Sequence, residues 1–183
     1  MKYSPKRGTC PYYVPPVRFE IVHEFDIPLD AIELAFLSPR LIEDLGPRLP
    51  NMETVTQSSH GLEGDVLTRV WAFAANMKIP DFAKPHVTKD MLSWEERTSY
   101  DHKKHEGTWL IVPRVKPEWQ KYFQAKGTYS IVPRGQGCAR IVRGDLDLIV
   151  PVVRPVAERL IVNEVRKIFE AEAVTLRGLS TLV

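Results

Sequence analysis

The chain has 183 residues, 44% hydrophobic and 26% charged, a composition that suits one globular domain and excludes a wholly disordered or fibrous chain. Its 25 Lys and Arg against 23 Asp and Glu leave a formal charge of +2, so no general electrostatic pull favours nucleic acid as a partner. No apolar run approaches the roughly 20 residues that span a bilayer. Two cysteines, Cys10 and Cys138, are too few to read as a secreted disulfide framework. With no leader-like apolar segment at the N-terminus, the expected compartment is the cytoplasm.

Residues 1–16 hold four prolines and three tyrosines without periodicity, which reads as an extended arm preceding a single domain over 17–183. Val17 to Ile27 alternates, with Phe19, Ile21, His23 and Phe25 on one face and Arg18, Glu20, Glu24 and Asp26 on the other: a half-buried strand. Pro28 stops it, and Leu29 to Leu37 takes up helical spacing. Ser38-Pro39 resembles a cap and first helical residue, which predicts a second short helix over Pro39 to Leu45, closed by Gly46-Pro47.

From Asn51 to Val150 the pattern is of strands and turns. Met52 to Ser59 reads as a polar strand, His60 to Gly64 as a turn, and Val66 to Met77 as a strand with loose alternation. Lys78 to Val87 is expected to be a loop. Met91 to Tyr100 follows as a strand, with Leu92, Trp94, Glu96, Thr98 and Tyr100 on one face. A turn over Asp101 to Gly107 leads to a strand from Thr108 to Val115, and Pro117 to Tyr122 breaks the pattern. Phe123 to Val132 and Cys138 to Val150 then form a hairpin across Pro133 to Gly137. Finally, apolar residues at 157, 161, 165, 168, 169, 173 and 176 mark one helical face from Pro155 to Leu176. Glu158, Glu164, Arg166, Lys167, Glu170 and Glu172 are assigned to its wet face. The order fits an α+β fold in which a curved antiparallel sheet of about seven strands is covered by one long C-terminal helix.

At this level the chain resembles the START, polyketide-cyclase and birch-pollen-allergen-like (SRPBCC, helix-grip) superfamily, and within it uncharacterised bacterial members. The resemblance is carried by Phe19-Glu20-Ile21-Val22-His23-Glu24-Phe25-Asp26-Ile27-Pro28, by Leu37-Ser38-Pro39-Arg40-Leu41, and by Gly137 to Leu146 followed by the helix from Pro155. It implies a cavity for a hydrophobic small molecule: a lipid, sterol or polyketide. The proline-rich arm departs from the pattern and is read as a dimer contact or a lid over the cavity mouth.

Candidate binding residues follow from the inward faces. Phe19, Ile21, His23 and Phe25 belong to the first strand. Trp71, Phe73, Trp94, Tyr100, Trp109, Phe123 and Tyr129 suit either an apolar pocket or plain sheet core. Ile161 and Val165 would face them from the helix. His23 is the one titratable group on its apolar face, a candidate acid or base, with a satisfied core histidine as the more common alternative. Glu96 and Arg69 share faces with Trp94 and Trp71; a buried pair would orient a polar head group, whereas exposed charges are the commoner outcome. His102 and His105 beside Asp101 and Glu106 read as solvated turn residues rather than metal ligands, and no motif calls for a cofactor. The leading functional expectation is binding or carriage of an apolar small molecule. A cyclase, dehydratase or hydrolase using His23 is the second, and an interaction protein without a cavity the third.

Overall fold

The computed structural model describes residues 15–76, 79, 81, 84, 88–149 and 154–182. The arm expected over residues 1–16, apart from Pro15 and Pro16, and most of the loop expected over 78–87 lie outside the described residues.

β1 (Val17–Phe25) keeps the period of two that its sequence requires, burying Phe19, Ile21, His23 and Phe25 and exposing the residues between them. The helices α1 (Leu29–Leu37) and α2 (Leu41–Leu45) follow, then a 3₁₀ turn (Gly46–Arg48). Six further strands complete the sheet: β2 (Met52–Glu63), β3 (Val66–Ala75), β4 (Ser93–Asp101), β5 (Glu106–Pro113), β6 (Phe123–Arg134) and β7 (Gly137–Leu148). A single turn of helix, α3 (Pro117–Gln120), sits between β5 and β6, and α4 (Arg154–Ser180) ends the fold. The sheet order is β1-β7-β6-β5-β4-β3-β2, antiparallel at every pair. This is the helix-grip architecture. Among the described residues no helix is long and apolar enough to cross a membrane.

Three local expectations are corrected. The turn placed at His60 to Gly64 lies later, because His60 and Gly61 pair with Arg69 and Thr68 in the β2–β3 ladder. Within that stretch it is Gly64, at φ 58°, that takes the left-handed conformation and reverses the chain. The second helix begins at Leu41 rather than Pro39, since Ser38 turns back locally and its Oγ accepts from the Arg40 N–H at 3.2 Å. Finally, α4 has 27 residues, about 40 Å at ~1.5 Å per residue, and continues one turn past Leu176 to bury Leu179.

Register is supported on the outer face, where Arg18 lies opposite Asp145 and Glu20 opposite Arg143. Their side chains pair at 3.1 Å and 2.7 Å. Exposed pairs of this kind are each worth only ~0.2–1 kcal/mol. The concave face carries the core. At its centre Gly127 and Gly144 are cross-strand partners, and the Trp109 ring lies directly over them: a Cβ on either glycine would come within 2.6 Å of that indole.

The helix α4 crosses this face from end to end. Arg154 bonds Asp147 at one end of β7 (3.3 Å), and Arg177 bonds the Glu24 carbonyl at the opposite end of the sheet (2.9 Å). Packing differs along its length. Phe169, Ala173, Leu176 and Leu179 are buried. Ile161, Val162 and Val165, nearer its start, are only half-buried, as are Trp94, Ile111 and Phe123 on the strands.

Candidate functional site

Period-two alternation on β3, β4 and β7 turns charged as well as apolar side chains inward. Arg69 on β3, Glu96 and Thr98 on β4 and Arg140 on β7 are all buried under α4. From the helix, Glu172 projects into them, because its position falls between Phe169 and Leu176 on the apolar stripe. Glu172 is 1% exposed, Arg69 1% and Arg140 0%.

The geometry is a carboxylate shared by two guanidinium groups. Glu172 Oε1 accepts from Arg69 Nη2 at 3.1 Å, and Oε2 accepts from Arg140 Nη1 at 2.7 Å. Each arginine also reaches a backbone carbonyl. Arg69 Nη1 donates to Phe36 O (3.1 Å), one of the carbonyls left free at the end of α1. Arg140 Nη2 donates to Phe169 O (2.9 Å). The Arg69 guanidinium lies between two rings, 3.7 Å from that of Trp71 and 4.3 Å from that of Phe36. Burial is the strongest influence on the Glu172 carboxyl and pushes its pKa up, but the two arginines outweigh it and hold the carboxyl below the usual range. Glu172 is therefore ionised, and the cluster is an Arg–Glu–Arg unit with one net positive charge.

Glu96 is the opposite case. Burial and the nearby Glu172 charge raise its pKa, against the pull of Arg69. Its Oε1 accepts from Tyr129 Oη at 2.8 Å and from Thr98 Oγ1 at 3.4 Å. Two carboxyl groups in one interior thus shift in opposite directions because only one of them is held by both arginines.

His23 links this interior to the surface. Its Nε2 lies 3.2 Å from Glu170 Oε2, and its Nδ1 lies 3.5 Å from Arg140 Nη2. Arginine only donates, so Nδ1 is the acceptor and Nε2–H donates to Glu170. Burial first, then Arg140, lower the His23 pKa to about 4, against the upward pull of Glu170 and Glu172. The imidazole is neutral near neutral pH, and both ring nitrogens are occupied. His23 is 4% exposed and Glu170 65%, so this hydrogen bond is where the buried network meets solvent.

Beside it a cleft of about 550 Å³ opens between β1, the 3₁₀ turn and α4, lined by Ile21, Arg48, Arg166, Lys167, Glu170, Ala171 and Val174. Farther along the concave face, four N–H donors are buried without an acceptor among the described residues: Arg69 Nε, Arg140 Nε, Trp71 Nε1 and Trp109 Nε1. Native interiors pair the great majority of such groups.

A profile for the family described as "Protein of unknown function (DUF2505)" matches residues 20–178. The chain belongs to the DUF2505 family. No curated protein matches its sequence. Its fold is that of the START, polyketide-cyclase and birch-pollen-allergen-like superfamily, as solved structures show. The Zhui aromatase/cyclase from Streptomyces sp. R1128 superposes with a TM-score of 0.60 at 10% identity, covering 91% of this chain and 94% of that one. A norcoclaurine synthase point mutant from Thalictrum flavum, in complex with a transition-state analogue, gives 0.58 at 16% identity, covering 90% and 97%. TTHA0849 from Thermus thermophilus gives 0.57 at 18%, covering 92% and 98%.

In this DUF2505 chain the residues singled out from sequence fall into four groups. His23, Trp71, Glu96 and Tyr129 belong to the buried polar network or touch it. Phe19 packs on Trp109 (6.1 Å between centroids), Phe73 stacks on Trp94 (5.3 Å), and Phe123, Ile161 and Val165 are half-buried beside the core. Phe25 lies at the end of β1, where Arg177 covers its ring, and Tyr100, in register with Tyr129 across β5, donates its Oη to Glu33 Oε1 at 2.7 Å. Ile21 lines the cleft.

The commoner outcome for Arg69 and Glu96, exposure, is overturned: both are buried, because β3 and β4 turn their charges to the concave face, where partners exist. Glu172 likewise leaves the wet face it was assigned. Arg140 was missed, although alternation places it between Cys138 and Val142 on the inner side of β7. His105 is not simply solvated: it holds a positive φ of 56° and its Nδ1 lies 2.9 Å from Glu33 Oε1. Among the described residues no group of three or more His, Cys, Asp or Glu could hold a metal ion.

Proposed function

We propose that this protein binds a small molecule with an apolar body and acceptor oxygens, of lipid, sterol or polyketide type, between the sheet and α4. The observation that supports the reading is the set of four buried N–H groups under α4, contributed by Arg69, Trp71, Trp109 and Arg140. Each unpaired donor costs roughly 1–3 kcal/mol, and oxygens on an enclosed ligand would pair them. The aromatic side chains around them supply apolar walls of the kind ligand sites use. Phe19, Phe73, Trp94, Phe123, Ile161 and Val165 serve as that wall, and the half-buried set near the start of α4 is the side from which a ligand enters. The names of similar folds, an aromatase/cyclase and a norcoclaurine synthase, fit a small-molecule role.

The Arg69–Glu172–Arg140 cluster has a place in this reading. Buried ion pairs are poor stabilisers, and replacing one with apolar residues of similar volume is often neutral or stabilising by about 1–4 kcal/mol. A cluster kept for ligand recognition should therefore be dispensable for folding.

Native mass spectrometry of the gently purified chain, beside the triple variant Arg69→Met, Arg140→Met, Glu172→Leu, tests this. A retained small molecule, lost from a variant that still unfolds cooperatively, is the expected result. A protein that carries nothing, and whose melting temperature is unmoved by fatty acids, sterols or aromatic polyketides, would overturn the reading.

A further inference from the structure

We infer that the cleft between β1, the 3₁₀ turn and α4 holds the oxyanion head group of an amphiphile, with Arg48 and Arg166 as its partners. The inference rests on the small-molecule reading above and names the ligand class. Three cations line the cleft against one anion. Lys167 is already paired with Glu164 at 2.6 Å, and Glu170 is engaged by His23. Arg48 and Arg166 have neither a hydrogen bond nor an ion pair among the described residues. They reach the cleft from two different elements, the 3₁₀ turn and α4. Two exposed guanidinium groups lining one concavity, with no acidic partner among the described residues, carry the donor chemistry that recognises a carboxylate or phosphate.

The floor is of the other kind. Ile21, Ala171 and Val174 are apolar, and Ile21 is itself part of the main core. An apolar chain leaving the head group thus meets apolar surface that runs on towards the interior. The cleft, about 550 Å³, is open to solvent, which leaves a charged head group hydrated on its outer side. A free inorganic anion would leave that floor unused, and a neutral lipid would leave both arginines unmatched.

The test compares binding of oleate, a lysophosphatidic acid, methyl oleate and inorganic phosphate to the full chain and to Arg48→Gln/Arg166→Gln. Both arginines are exposed, so the double variant should keep its melting temperature. The expected result is that oleate or the lysophosphatidic acid binds at least ~10-fold tighter than methyl oleate, that raised salt narrows the gap, and that the double variant reduces it to about 2-fold or less. Whichever of the two wins identifies the head group as carboxylate or phosphate. Equal binding of oleate, the lysophosphatidic acid and methyl oleate would overturn the cleft inference while leaving interior binding intact. Phosphate alone binding as tightly as the amphiphiles would overturn it in favour of a simple anion site. Binding of none of the four would overturn it too, with the mass-spectrometric experiment still deciding the interior reading.

Discussion

At the residue scale, His23 is held furthest from its ordinary behaviour. Burial and Arg140 keep its pKa at about 4 in the folded chain, whereas in the unfolded chain it returns to ~6.5. Between those values the unfolded chain binds a proton that the folded chain refuses, so stability is full above ~6.5 and falls as the pH drops towards ~4. The loss is on the order of 3 kcal/mol if the whole difference is expressed. Glu172 acts in the same direction at lower pH, since a carboxyl held low stabilises above its unfolded pKa and loses that contribution as pH falls through its folded one. Glu96 runs the other way: its raised pKa makes the folded state less favourable as pH climbs past the unfolded value. Urea unfolding near pH 7 and near pH 5 should therefore show a marked drop for the parent chain and a shallower one for His23→Gln. Equal drops would assign the acid sensitivity to the carboxylates instead.

At the scale of the elements, the β6–β7 hairpin and α4 make opposite predictions about glycine. Gly144 sits beneath two rings, where a Cβ would come within 2.3 Å of Phe19 and 2.6 Å of Trp109. Gly144→Ala should cost about 1–3 kcal/mol by overpacking. Gly178 lies in α4 with nothing near its would-be Cβ, so Gly178→Ala should gain up to ~1 kcal/mol of helix stability. Thermal melts of the two single variants should move to opposite sides of the parent. The elements themselves were legible in the sequence wherever hydrophobic period was clean. In β1, alternation alone put His23 inside. In α4, the spacing of Ile168, Phe169, Ala173 and Leu176 fixed the inner stripe, yet Glu172 sits on that stripe and was assigned outward because it is charged. Position on the helix outranked residue type, and the two arginines waiting opposite are what made that possible.

At the scale of the molecule, the Arg69–Glu172–Arg140 cluster ties together four elements: β3, β7, α4 and, through Phe36 O, α1. Glu172→Gln would leave two buried guanidinium groups without their counter-charge, at a cost of roughly 3–5 kcal/mol. A large share of an ordinary domain's stability would be lost. Because α4 covers the whole concave face, the loss should appear as a cooperative drop in global stability in denaturant titration. A drop confined to the last turns of α4, seen by hydrogen exchange, would show that the cluster is local.

The sequence by itself determined the architecture: an early strand, two short helices, a run of antiparallel strands and one long covering helix. Local periodicity and turn chemistry act over a few residues and need no partner to be read. Alternation also put Glu96 on one face with Trp94 and Arg69 on one face with Trp71, but it left exposure as the commoner outcome for both and did not single out Arg140. Only the tertiary structure decided that these charges stay buried. Burial of a charge is tolerable only when a counter-charge from a distant segment arrives at hydrogen-bond distance, and Glu172 is 103 residues from Arg69 and 32 from Arg140. The cleft was decided in the same way, since Ile21, Arg48 and Arg166 share no pattern along the chain and meet only where β1, the 3₁₀ turn and α4 converge.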